Sequence, residues 1–170
     1  MNTRRLVAAA LLCLGLGASQ AQLSSPMPGV EPMPSGPGVH SPDSPIAPLK
    51  ERADVLPWGL LTDVKVKIVK NRVMPIFPAV IQALDQKTQR VQGFMMPLEA
   101  GERHTHFLLT SVPMSCSFCV PGGPESMVEV RTRKPVKYTL EPVVVQGRFA
   151  VLQDDPYGLY YRITNAVVVK

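Results

Sequence analysis

Cysteine, histidine and tryptophan are all scarce in this 170-residue chain, with three, three and one copies. Metal sites built on thiolate or imidazole, and thiol redox chemistry, are therefore confined to a few positions. Other signals are absent altogether. Pro121-Gly122-Gly123-Pro124 is the one glycine-rich turn that invites a phosphate, but no Lys-Ser/Thr follows it and it sits between strand-like runs. No serine stands in a nucleophile elbow. Asp154-Asp155 lacks the further oxygen ligands that calcium needs, and as a turn pair it is expected to face water. Base-stacking RNA motifs are missing, so nucleic acid is not expected as a partner. The leading apolar run, residues 6–16, is too short to cross a bilayer as a mature helix.

That run instead reads as the core of a signal peptide over residues 1–21. Arg4 and Arg5 precede it and Ser19-Gln20-Ala21 offers small residues for cleavage. Cys13 lies inside the apolar run without a small residue before it, which fits a signal-peptide cysteine better than a lipoprotein site. The mature chain is expected in the periplasm, without a membrane span. Its net charge falls from +5 to +3 once Arg4 and Arg5 leave. The basic runs Lys65, Lys67, Lys70 and Arg131, Arg133, Lys134 fit solvated strand faces better than a nucleic-acid patch.

Residues 22–50 are dominated by proline, glycine, serine and methionine. Proline at this density prevents both helix propagation and sheet pairing, so a disordered, extended tether is expected. Met27, Met33 and His40 lie within it and suit a spacer better than a loose site for a soft metal. The folded domain is assigned to residues 51–170. Its start carries Leu56-Pro57-Trp58-Gly59-Leu60-Leu61, whose tryptophan is expected to plug one end of a core. Val64, Val66 and Ile68 alternate with Lys65 and Lys67 as in a half-buried strand. Met74-Pro75-Ile76-Phe77-Pro78 reads as a backbone break, with Pro78 in the first turn of a short helix through Ile81 and Leu84.

Beyond Arg90 the pattern is continuous strand, at residues 91–98, 104–112, 127–132, 142–152 and 159–169. Leu159, Tyr161 and Ile163 are expected inward. Arg148, Tyr160 and Arg162 fall on outward faces, either as a binding surface or, more simply, as solvated residues. Val91-Gln92-Gly93 returns as Val145-Gln146-Gly147, a sign that two strands need the same bend. Five short, bent strands that must leave no open edge predict an all-β fold with minor helix: a five-stranded Greek-key barrel of OB type. A β-sandwich is the alternative.

With the signal peptide removed, Cys116-Ser117-Phe118-Cys119 holds both remaining cysteines on a turn. Four readings stay open for the pair: a metal site, a disulfide, a catalytic redox couple, or two buried thiols. An oxidising compartment favours the disulfide. The Val120-Pro121-Gly122-Gly123-Pro124 run discourages the helix N-terminus that activates redox cysteines. As metal ligands, Cys116 and Cys119 would take His104 and His106, which share a strand face, or the nearer Met114. Thiolate and thioether donors favour copper(I) and imidazole shifts the preference to zinc. An extended strand from His106 to Cys116 covers on the order of 30 Å, so the histidines reach the cysteines only across a sharp bend. Surface strand positions remain the plainer reading of both histidines.

Several segments in order, from about Trp58 to the C-terminus, resemble the bacterial family known as domain of unknown function 3299. They are Val91-Gln92-Gly93-Phe94-Met95-Met96-Pro97-Leu98, Phe107-Leu108-Leu109, the Cys116–Cys119 turn with its Pro-Gly-Gly-Pro, Met127-Val128-Glu129-Val130, Val143-Val144-Val145-Gln146-Gly147 and Tyr160-Tyr161-Arg162-Ile163-Thr164-Asn165-Ala166. The resemblance implies an exported protein, often encoded beside ABC-type transporters, some of them linked to zinc supply. It brings no established activity and no catalytic residues. The resulting expectation is a non-enzymatic periplasmic accessory protein that assists metal transport or a transporter complex. The alternatives are a structural or interaction module stapled by its disulfide, and a thiol oxidoreductase.

Overall fold

The structure, a computed structural model, describes residues 36–169. The expected signal peptide, Cys13, Met27, Met33 and residues 22–35 of the proline-rich segment lie outside the described residues.

Strand alternation builds the centre of the molecule. Five strands, β3 (Thr88–Pro97), β4 (Arg103–Thr110), β5 (Met127–Lys137), β6 (Val143–Val151) and β7 (Tyr161–Val169), close a barrel in the order β3-β4-β5-β7-β6. β3 and β6 seal it. Every pairing is antiparallel except β5 with β7, which run parallel. A three-strand meander, with the last strand inserted between the third and fourth, is the OB arrangement. Closure removes most of the exposed edge that a sandwich would keep.

Alternate residues fill the interior: Val91, Phe107, Leu109, Val128, Val130, Val145, Phe149, Tyr161 and Ile163 are all fully buried. Each large side chain contributes about 1.5–3 kcal/mol by leaving water. Tyr161 stacks on Phe149 with ring centroids 5.4 Å apart, and its hydroxyl donates to the Leu61 carbonyl at 2.6 Å. Burial pushes its phenol well above the usual range.

The repeated Val-Gln-Gly segments lie on adjacent strands, with Val91 directly opposite Val145 across the β3–β6 seam. Gly147 faces a bulge in β7, where the register slips between Gln146 and Arg148 and Asn165 takes φ 54°. A Cβ at Gly147 would lie 2.6 Å from the Ile163 side chain and 2.7 Å from the Thr164 carbonyl. The glycine is there for close approach, as the bend expected from the sequence requires.

The plug at the barrel end differs from expectation. Trp58 in α1 (Trp58–Leu61) is only half-buried and donates its indole N–H to the Gln92 carbonyl at 2.9 Å. Leu61, Val64, Phe77 and Ile81 form the seal, with Phe77 against the rings of Tyr160 and Tyr161. Tyr160, expected on an outward face, is buried by this contact. The expected break at Pro75 is a second strand. β1 (Lys65–Val69) and β2 (Arg72–Ile76) form a hairpin whose turn residues Lys70 and Asn71 both have positive φ, as a tight type I′ turn requires. Pro75 is tolerated because a two-stranded ribbon is all edge. Pro78 caps α2 (Ala79–Gln82) from an extended conformation.

The proline-rich segment is more than a spacer where it is described. Val39 and Val120 exchange two backbone hydrogen bonds of 2.8 and 2.9 Å. Gly36 donates its N–H to the buried carboxylate of Glu125 at 3.0 Å, and the Ser111 hydroxyl donates to the Pro37 carbonyl at 2.5 Å. Between them Gly38 has φ 78°, and a Cβ there would stand 2.6 Å from the Val120 carbonyl. The folded unit thus reaches back past Glu51 to a clip laid over the cysteine loop.

Candidate functional site

The densest polar cluster is centred on Glu129 of β5, a residue 2 % exposed. Val128 and Val130 point into the barrel, so Glu129 points outward with His106 and Leu108 of β4. Parallel pairing sets Glu129 directly beside Arg162 of β7. The Arg162 Nε donates to Glu129 Oε2, while Oε1 accepts from Arg131 Nε and Nη2 at 2.9 and 2.8 Å. His106 Nε2 lies 2.7 Å from the same Oε1. Against a carboxylate this nitrogen must carry a proton, which defines the ring tautomer. Burial alone would raise the Glu129 carboxyl. The hydrogen bonds from Arg162, Arg131 and His106 outweigh it and hold the group below the usual carboxylate range.

The loop between β6 and β7 completes the cluster. Arg162 Nη2 donates to Asp155 Oδ2 at 3.0 Å, and Asp155 Oδ1 accepts the backbone N–H groups of Tyr157 at 2.9 Å and Leu159 at 3.3 Å. The Asp155 side chain is 5 % exposed, so the expectation that this turn acid faces water is corrected. It organises the loop and fastens it to the barrel wall. That loop presents Tyr157, 86 % exposed.

Above the cluster is a cavity of about 390 Å³, walled by Leu98, Leu108, Leu159 and Tyr157 and floored by His106, Glu129 and Arg131. It lies on the second and third barrel strands, between the loop after the first strand and the loop after the fourth. OB folds bind ligands at this position. One carboxylate and one guanidinium, Glu129 and Arg131, meet in its floor, with His106 engaged on Glu129. The cavity offers apolar contact around an ordered charge pattern.

The cysteine loop leaves β4 at its far end. Cys116 and Cys119 are joined by a disulfide with Cα atoms 5.4 Å apart, inside two successive turns from Pro113 to Cys116 and Cys116 to Cys119. Met114 is exposed on the same loop. The two histidines follow strand alternation but have separate surroundings. His104 is buried near the edge of the Tyr138 ring, with its Nε2 lacking a hydrogen-bond partner among the described residues, and His106 is bound to Glu129. From His106 to Thr110 β4 stays extended, about 13 Å of strand, before the loop begins. The five expected metal ligands thus fall into three places: Cys116 and Cys119 with Met114, His104, and His106. No group of three or more His, Cys, Asp or Glu side chains placed to hold a metal occurs among the described residues.

Glu129, Asp155 and Tyr157 were not singled out from the sequence as a site. Their one legible trace was Arg162 on an outward strand face, and only the parallel register brings Glu129 to it.

No helix among the described residues is long and apolar enough to cross a membrane. No curated protein matches the chain. A crystal structure of a DUF3299 family protein from Pseudomonas aeruginosa PAO1 is similar at 28 % identity with a TM-score of 0.43, over 52 % of this chain and 64 % of that one. Residues 64–160, which include four of the five barrel strands and the cysteine loop, match the family described as Protein of unknown function (DUF3299). The chain belongs to that family.

Proposed function

We propose that this chain is an exported, non-enzymatic binding module of the periplasm, which presents the outer face of β4 and β5 to a partner protein. The observation that carries the reading is the cavity over Glu129, with its apolar walls and charge-balanced floor. Glu129 is held ionised by Arg162, Arg131 and His106, so its carboxylate fixes the orientation of the groups in and beneath the floor. A half-exposed apolar wall with the exposed ring of Tyr157 beside it suits an apolar side chain of a partner, with Arg131 within reach of an acceptor at its tip. A component of an ABC-type transporter is the partner class that the family context suggests. A photo-crosslinking residue in place of Tyr157 should trap that partner during export, whereas one in place of Val80, exposed in α2, should not. Equal labelling from both positions, or none from Tyr157, overturns the reading.

In this module the cysteine pair is a staple, and the metal-handling alternative turns on the same two sulfurs. Closing so short a loop contributes about 2 kcal/mol. Mature protein taken from an oxidising compartment without chelators should show no free thiol and no bound metal. Reduction, or Cys116→Ser with Cys119→Ser, should lower its Tm by several degrees. Stoichiometric zinc or copper(I), with both thiols protected by the ion, would instead assign Cys116, Cys119 and the adjacent Met114 to metal transport.

A further inference from the structure

A second opening lies on the barrel where the parallel strands part. β5 and β7 pair at Glu129 with Arg162, Val130 with Ile163, and Thr132 with Ala166, and the pairing ends there. β5 then bulges through residues 132–135 before returning to β4 at Val136 and Lys137. β7 stays with β6 through Val167, Val168 and Val169. Two strand edges therefore face each other across a gap, β7 paired on its other side with β6 and β5 with β4 only at Val136 and Lys137. Such edges carry backbone donors and acceptors that a further extended segment can satisfy.

The gap has a volume of about 470 Å³. Its floor is apolar, from Val136, Val167 and Val168, of which the last two are exposed. Its rim carries Arg103, Arg133, Lys134 and Lys137, and among the described residues no carboxylate lines it. Among the described residues none of these four cations forms an ion pair; Arg103 donates only to the Pro135 carbonyl at 3.3 Å. The Arg131, Arg133, Lys134 run is thus divided by the fold. Arg131 is spent on Glu129, while Arg133 and Lys134 stand at the mouth of an uncompensated basic cleft.

We infer that this cleft takes an extended acidic peptide segment of a partner protein, which adds as a strand along the free edge of β7 and sets its carboxylates against Arg133, Lys134, Arg103 and Lys137. The unpaired edges favour a peptide over a nucleic acid, and no aromatic ring lines the cleft to stack a base. The alternation of apolar floor and cationic rim matches a strand whose side chains alternate between valine and glutamate.

The test uses the mature chain and a fluorescein-labelled hexapeptide of alternating Glu and Val, followed by anisotropy and by amide chemical shifts. Binding should weaken with added salt and should move the amides of residues 133–137 and 167–169. Arg133→Glu with Lys134→Glu should weaken it at least about tenfold, with the Tm of the variant reporting that the barrel is intact. A peptide of the same charge with prolines in place of two valines should lose a similar factor, since it cannot donate the ladder hydrogen bonds. Val168→Lys gives a second variant that blocks the floor without touching the rim. The inference is overturned if the proline peptide binds as well as its parent, if neither variant weakens binding, or if the hexapeptide shows no binding. Preferential binding of an oligothymidylate or of anionic phospholipid vesicles at these amides overturns it equally.

Discussion

Glu129→Ala should lower the stability of the barrel by about 3 kcal/mol, a loss of roughly 10 °C in Tm. The size follows from what is left behind. Glu129 is almost fully buried and accepts from Arg162, Arg131 and His106. Deleting it strands Arg162, which is largely covered, beside an apolar wall with only Asp155 for company. Arg131→Ala removes a more exposed partner, 56 % accessible, and should cost less than about 1 kcal/mol. Thermal melts of the two variants should therefore differ widely. Equal effects would mean that the cluster contributes through surface charge alone.

The same carboxylate gives a pH signature. Its hydrogen bonds hold it below the ordinary value in the folded chain, so its contribution is complete above the unfolded carboxyl range near about 4.3. That contribution disappears as pH falls through the folded value. The Tm gap between the parent chain and Glu129→Ala should be wide at neutral pH and should narrow in acid. A gap that widened in acid would reverse the assignment.

Gly147→Ala should destabilise by about 2–3 kcal/mol, and Gly147→Val by more. The added Cβ meets the Ile163 side chain, the Thr164 carbonyl and the Ala166 Cα at 2.6, 2.7 and 3.0 Å. Two of those atoms are backbone of the β7 bulge and cannot swing aside. Ile163 also lies next to Arg162, so relief of the clash would pull on the Glu129 cluster. Gly59→Ala is the control: nothing lies within 4 Å of that Cβ, and alanine suits α1 better. Denaturant melts should place Gly59→Ala at or above the parent and Gly147→Ala far below it. Matching midpoints for Gly147→Ala and the parent would remove close approach as the reason for the glycine.

What could be read from the sequence was what repeats locally. Alternation located all five barrel strands, and the paired Val-Gln-Gly segments told of a shared bend, though not that the two strands lie side by side at the β3–β6 seam. β2 was lost because Pro75 ordinarily ends a strand, and only a free ribbon edge excuses it. The plug was assigned to Trp58 on size, yet Phe77 and Ile81, with no motif around them, provide the seal. The candidate site suffered more. The cysteines advertise themselves by type, while Glu129 reads as one acid in a strand and Asp155 as one acid in a turn. Their importance depends on a parallel register between residues 33 positions apart, which no local pattern encodes. The basic run around Arg131 had the same difficulty, since a single bulge assigns neighbouring cations to opposite duties.

The clip over the cysteine loop also orders events in time. The disulfide joins sulfurs 3 positions apart and can close as soon as that stretch meets an oxidant. Val39 must wait for Val120, and Val91 must wait for Val145. A chain delivered from its N-terminus therefore carries Val39 unpartnered until Val120 arrives, and the outer edge of β3 unpartnered until β6 arrives. Contact order this high makes assembly slow, with apolar edges open throughout the delay. A chain with this topology is exposed to proteases and to its own copies before the seam shuts, and the early covalent loop is the first part of it to become rigid.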